Sequence, residues 1–309
     1  MPFVVVPNKR EAAPAGPAKT GVFIGGAEDG YASSSIIDLY NFTNEARSSS
    51  AVTLATAKGW AGYVGNDDVA LHAAGNTSGG YTNSTDKYTY GDDSIVSSTV
   101  MGLTRYRSGQ GCGNATLGII AGGHTGSVYS AYTDKYTYGD DSVVPGTVLN
   151  QTSFGISAAG HATFGIFYLG YNGSWQTDTN KYMYASGVVV TSGNMGAGKA
   201  DHAAVGDGTY GYFSGGALGS TRYSDTQKYT FSDGGTLPTT SLGLARTRLA
   251  AASGDVAGVF IGGSITDTGG AVVDYADKFT YAGETMAPST VLGVGRQALS
   301  ACSNCNVGI

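Results

Sequence analysis

The chain has 309 residues, of which 50 are Gly, and only 13% are charged, giving a formal net charge of −6. Its 10 Phe, 2 Trp and 21 Tyr exclude a disordered chain, which would be poor in aromatics and rich in charge. The acidic balance argues against nucleic acid as a partner, and no apolar run approaches the roughly 18 residues of a membrane span, so no membrane insertion is expected.

Residues 1–19 stand apart from the rest of the chain. Phe3, Val4, Val5 and Val6 have strand character, and Pro14-Ala-Gly-Pro17 reads as a semi-extended tether. An apolar strand on a tether suits addition to the sheet edge of a partner, so these four residues are the candidate anchor. The segment lacks the basic start and long apolar core of a secretory signal. A chain made in a reducing cytoplasm is therefore expected, and the odd set Cys112, Cys302 and Cys305 is no disulfide framework.

From residue 20 onward the sequence repeats. An aromatic-x-aromatic pair occurs at Tyr40/Phe42, Tyr88/Tyr90, Tyr136/Tyr138, Tyr182/Tyr184, Tyr229/Phe231 and Phe279/Tyr281, at successive intervals of 48, 48, 46, 47 and 50 residues. Each pair is preceded by an apolar strand ending in small residues, as in Phe23-Ile-Gly-Gly26 and Phe260-Ile-Gly-Gly263. Two further markers are a Thr-Val-Leu/Met stretch read as a strand (Ser98 to Met101, Gly146 to Leu149, Ser289 to Leu292) and a small-residue strand such as Leu249 to Ser253. Four short strands per unit, six times over, predict an all-β, six-bladed β-propeller across residues 20–309. Rings at i and i+2 share one face of a strand and are expected to fill the space between blades. Residues 300–309 match the step that precedes the glycine doublet elsewhere. One blade should therefore combine N- and C-terminal strands and close the ring.

The glycine doublet, the following Tyr strand and the repeat length resemble kelch-type propellers over nearly the whole chain, although Trp60 and Trp175 do not recur in register as kelch Trp residues do. The Ile-Gly-Gly, Asp-x-Tyr and Leu242-to-Arg246 steps are similar to kelch-like repeats of tailed-bacteriophage structural proteins. That resemblance implies a virion protein made in the host cytoplasm: a head or tail appendage, fibre or decoration protein present in several copies. Its partners would be other virion proteins and a host cell-surface glycan or protein. Two alternatives stay open, a soluble bacterial glycan- or protein-binding kelch propeller and a kelch-fold oxidase.

No enzyme, metal or cofactor is expected from the residues themselves. His72, His124, His161 and His202 fall at different places in their units. Gly91-Asp-Asp-Ser94 and Gly139-Asp-Asp-Ser142 offer too few oxygens for calcium and read as hairpin turns. The Lys beside each aromatic pair (Lys87, Lys135, Lys181, Lys228, Lys278) is expected to lie over a neighbouring blade or pair there. The loops between the glycine doublet and the aromatic strand vary in length and carry Tyr31, Tyr81, Tyr129, Tyr171, Trp175 and Tyr223. Tyr and Trp among Ser, Gly and Asn make adaptable contact surfaces, and these six are the candidate binding residues.

Overall fold

A computed structural model describes residues 19–266 and 271–303. The candidate anchor Phe3 to Val6 and Cys305 lie outside the described residues. Six four-stranded antiparallel sheets form the blades of a six-bladed β-propeller. Blade 2, for example, consists of Gly62–Gly65, Val69–Thr77, Gly80–Thr89 and Ser94–Ser98, in that order from the axis outward. Blade 1 takes its inner strand from the other end of the chain. Ser300–Ser303 pairs antiparallel with Thr20–Ile24, setting Cys302 opposite Val22 and Ala301 opposite Phe23. The predicted closure is therefore present, and it is made by the small-residue strand.

Those inner strands explain their own composition. Ser-Ala-Cys-Ser, Ser-Ala-Ala-Gly, Ala-Ala-Val-Gly and Ala-Ala-Ala-Ser converge around the axis, where small side chains let them pack closely, and all sixteen residues are buried. Between blades lie six apolar clusters, one per interface. At the interface of blades 1 and 2, Val22, Ile24 and Ile37 meet Tyr63, Ala70 and Tyr88. The aromatic pairs supply the bulk, as their spacing predicts. The first ring of every pair is buried, and Tyr40/Phe42 and Tyr88/Tyr90 sit edge to face at 5.2 and 5.5 Å.

The Thr-Val-Leu/Met stretches correct one expectation. They are not strands. The outer strands precede them (Ser94–Ser98, Ser142–Pro145, Thr285–Pro288), and the stretch carries the chain off the blade edge. Its last residue is drawn under the next blade, so Leu54, Met101, Leu149, Met195, Leu242 and Leu292 are all buried. Pro145, Pro238 and Pro288 sit in outer strands, where a missing N–H blunts an exposed edge.

Four residues after each of these apolar anchors stands a second buried residue: Lys58, Arg105, Ser153, Lys199, Arg246 and Arg296. The cations reach the third strand of the blade they are entering, or its approach. Lys58 pairs with Asp86 at 2.7 Å, Arg105 with Asp134 at 2.8 Å, Lys199 with Asp225 at 2.8 Å and Arg246 with Asp277 at 2.6 Å, while Arg296 pairs with Asp38. Blade 4 has the uncharged residues Ser153 and Asn180 at these two positions. On the opposite face, the Gly-Asp-Asp segments are turns. The second Asp bridges to the preceding blade: Asp93 accepts from the Ser50 hydroxyl and the Ala51 N–H, and Asp141 pairs with Lys87. Lys228 and Lys278 pair likewise with Glu284 and Glu45 of the next blade, and Lys181 lies 3.7 Å from the centre of the Phe164 ring.

Candidate functional site

The linkers that enter the inner strands also build the mouth of the central channel. Two residues beyond each buried linker residue stand Trp60, Arg107, Gly155, Asp201, Arg248 and Ala298, all with φ between 53° and 64°. Their backbones form a closed ring of hydrogen bonds. Each N–H donates to the carbonyl of the preceding member, at 2.7 to 3.0 Å, and Trp60 completes the circle by donating to Ala298. The left-handed backbone aims successive N–H groups around the axis, an arrangement extended strands cannot provide.

The glycine doublets brace this ring. Gly25 and Gly26 have φ of 62° and 102°. A Cβ on the first would lie 2.4 Å from the Lys58 carbonyl oxygen, and one on the second 2.8 Å from that of Gln297. The doublet is thus clamped between two successive linkers, which favours Gly; its second residue is Gly in every blade, while Ala74, at φ 58°, and Leu169 take the first place in blades 2 and 4. Beyond the doublet, each loop bridges to a linker through paired backbone contacts, such as Ala27 with Gln297, Gly59 with Asn76 and Tyr106 with His124.

The channel beneath the ring is filled. Blade 3 has one extra residue between Arg105 and Gly113 compared with Lys58 to Gly65. Gly109, at φ 71°, absorbs the insertion, and the side chain of Gln110 crosses to blade 5. There its amide donates to the Ala204 carbonyl and accepts from the Ala204 N–H, both at 2.8 Å. A pocket of about 40 Å³ remains, lined by Tyr63, Gln110, His202 and Leu249 among others. His202 is stacked on Tyr168 at 4.2 Å and its Nδ1 is 2.5 Å from the Ser157 hydroxyl. Burial lowers its pKa to about 3.

The side chains of the ring break the six-fold pattern that its backbone keeps. Arg107 donates to Asp201 at 3.1 Å, and Arg248 Nε lies 3.6 Å from the same carboxylate, so two guanidiniums share one acid. Trp60 is 5.6 Å from Tyr31. Next to them, Tyr81 and Tyr106 stack in parallel at 4.2 Å, and the Tyr106 hydroxyl is pushed up to about 12, mainly by burial. Tyr31, Trp60, Asn76, Tyr81, Tyr106, Arg107 and Arg248 enclose an open groove of about 200 Å³.

Of the six loop aromatics, the structure brings Tyr31 and Tyr81 into this groove. Tyr129, Tyr171 and Trp175 continue the same surface through contacts of 5.2 Å (His124–Tyr129), 5.8 Å (Tyr129–Tyr171) and 4.7 Å (Tyr171–Trp175). Tyr223 stands apart in blade 5, 5.4 Å from Lys199. Sequence reasoning missed Trp60, Tyr106, Arg107, Asp201 and Arg248, since it searched the loops and not the linkers. The available signal was the register two residues past the buried cation, where the repeat tolerates Trp, Arg, Gly, Asp and Ala alike.

Cys112 and Cys302 are buried in inner strands, and burial raises both thiols, Cys112 to about 12. Among the described residues no three His, Cys, Asp or Glu come together as a metal site. Compared with known proteins, the chain matches no family model, and no curated protein matches its sequence significantly. Fold and site therefore define a class, the six-bladed β-propeller with an aromatic, arginine-bearing mouth face.

Proposed function

We propose that the chain is a non-enzymatic structural protein of a tailed-bacteriophage virion, a kelch-like head or tail appendage, fibre or decoration protein. Residues 1–19 hold it to other virion proteins, and the mouth face is turned outward toward a host-surface glycan or protein. The virion setting is supported by the resemblance of the repeats to phage kelch-like repeats. The binding role is supported by one observation above the others. A six-fold backbone scaffold carries side chains that are not six-fold, with aromatics gathered over blades 1 to 4 of one face. A repeat that keeps its buried positions and varies one exposed face has a use for that face.

Mass spectrometry of purified particles tests the setting: the chain should be present at a fixed copy number, and a version lacking residues 1–19 should be lost from particles. Absence of the full chain from particles would refute the virion reading. The second reading, a soluble bacterial glycan- or protein-binding kelch propeller, draws on the same groove and predicts ligand binding without particle association.

A further inference from the structure

We infer that the groove over blades 1 and 2 is a subsite for a carboxylate-bearing sugar, of the uronic-acid type found in acidic polysaccharides. The inference rests on the mouth face being the binding surface, and not on the virion setting.

Three observations carry it. The first is size: about 200 Å³, open on one side, is room for one pyranose ring of a longer chain. The second is the walls. Tyr31 and Trp60 are inclined at 38° to each other, with the parallel pair Tyr81 and Tyr106 beside them, and Tyr31 and Tyr81 are 39% and 42% exposed. Apolar C–H faces of sugars stack on such rings. The third is charge. In a chain of net charge −6, this groove holds two guanidiniums against the single carboxylate of Asp201, leaving one positive charge over. Glu28 and Asp29, in the adjoining loop, do not line it. Arg107 donates to Asp201 through one Nη only. Arg248 donates through Nη1 to Gln297 at 3.0 Å and to the Tyr31 hydroxyl at 3.4 Å, while its Nε faces Asp201 at 3.6 Å. A ligand carboxylate on the open side of the two guanidiniums would match that excess charge, and Arg is suited to planar, bidentate recognition of such a group. A neutral sugar would use the rings and leave the charge unmatched. An acidic peptide would use the charge and leave the rings half covered.

Calorimetric titration of the full chain with trigalacturonate, maltotriose and a triglutamate peptide tests this. Trigalacturonate should bind at least tenfold more tightly than either comparator. Arg248→Gln and Trp60→Ala should each weaken it at least tenfold, and Tyr81→Ala, which removes a part-exposed ring stacked on Tyr106, severalfold. Tyr223→Ala, outside the groove, should bind as the parent chain does. No heat with trigalacturonate at millimolar concentration, equal affinity for maltotriose or the peptide, or undiminished binding by Tyr81→Ala and Arg248→Gln would each overturn the inference. A chain absent from particles that still binds trigalacturonate would defeat the virion reading alone, and a particle-borne chain that fails to bind it would defeat this one alone.

Discussion

At the scale of single residues, the most consequential groups are those the fold buries with a charge. Arg246 and Asp277 are both shut away from water, and Arg246 also donates to the Phe260 carbonyl at 3.0 Å. Removing one partner strands the other, so Asp277→Asn should destabilise by about 3–5 kcal/mol in urea unfolding. Blade 4 keeps its place in the ring with Ser153 and Asn180 at the same positions. The double change Arg246→Ser with Asp277→Asn should therefore recover at least half of that loss; a double variant worse than the single one would refute the argument. The aspartates and the linker Arg step were visible in the sequence as recurring letters. Their pairing was not, because they sit some thirty residues apart and meet only once the linker has crossed to the next blade. The buried imidazoles give a second expectation. His202 and His72 have folded pKa values lowered by burial, to about 3 for His202 and well below the usual value for His72, against about 6.5 unfolded. The unfolded chain thus binds protons that the folded chain refuses. The stability these groups contribute is complete above about pH 6.5 and falls as pH drops toward the folded values, by about 1.4 kcal/mol per pH unit for each. His124 and His161 are lowered in the same direction by partial burial and add to the slope. Urea unfolding between pH 6.5 and 5 should show this decline, and His202→Gln should flatten it by about one proton's worth whatever its effect on absolute stability. An unchanged slope would count against the neutral buried imidazole.

At the scale of elements, the repeat was legible where it is made of apolar and aromatic letters. The aromatic pairs recur in all six blades and the glycine doublet in four, with Ala74-Gly75 and Leu169-Gly170 in the other two, each keeping one structural role. The linkers were harder to read. Ser98 to Met101 has the β-branched composition of a strand, yet only Met101 is fully buried and the ladder ends at Ser98, opposite Thr85, so the rest runs as a connection. The hydrogen-bonded ring at the mouth was not legible at all, since a left-handed backbone at Trp60, Arg107 and Asp201 leaves no residue signature once contacts on both sides enforce it. That enforcement has a cost. A side-chain-bearing residue at φ near 55° is disfavoured by roughly 1–2 kcal/mol, a penalty Gly155 avoids. Ala298, at φ 53°, has no part in the groove. Ala298→Gly should raise stability by about 0.5–1 kcal/mol, the relieved strain exceeding the added flexibility of the unfolded chain. A rise in the urea midpoint at constant slope would verify it, and a fall would mean that the ring holds its members without strain.

At the scale of the whole molecule, two closures act together. The strand Ser300–Ser303 completes blade 1, and the amide ring completes the mouth through Ala298, two residues earlier. Without the strand, Thr20–Ile24 would become an exposed inner edge and Ser300 would no longer meet His72 Nδ1, 2.6 Å away. Val22 would also lose Cys302 as its neighbour, and blade 1 would loosen against both blades beside it. A chain ending at Leu299 forfeits the ladder hydrogen bonds and the buried inner residues together, at least about 5 kcal/mol. Its melting temperature should fall by about 10 °C or more. Hydrogen exchange separates this from simple weakening. In the intact chain the ring amides of Trp60, Arg107, Gly155, Asp201, Arg248 and Ala298 should be protected alike, since each donates to its neighbour in a closed circle. In the shortened chain the amides of Trp60 and Ala298, which flank the gap, should exchange first, and those of Gly155 and Asp201 on the far side last. Uniform acceleration of all six would show that the ring opens as a unit wherever the closure is cut, and that the circle rather than the blade carries the cooperativity of the fold.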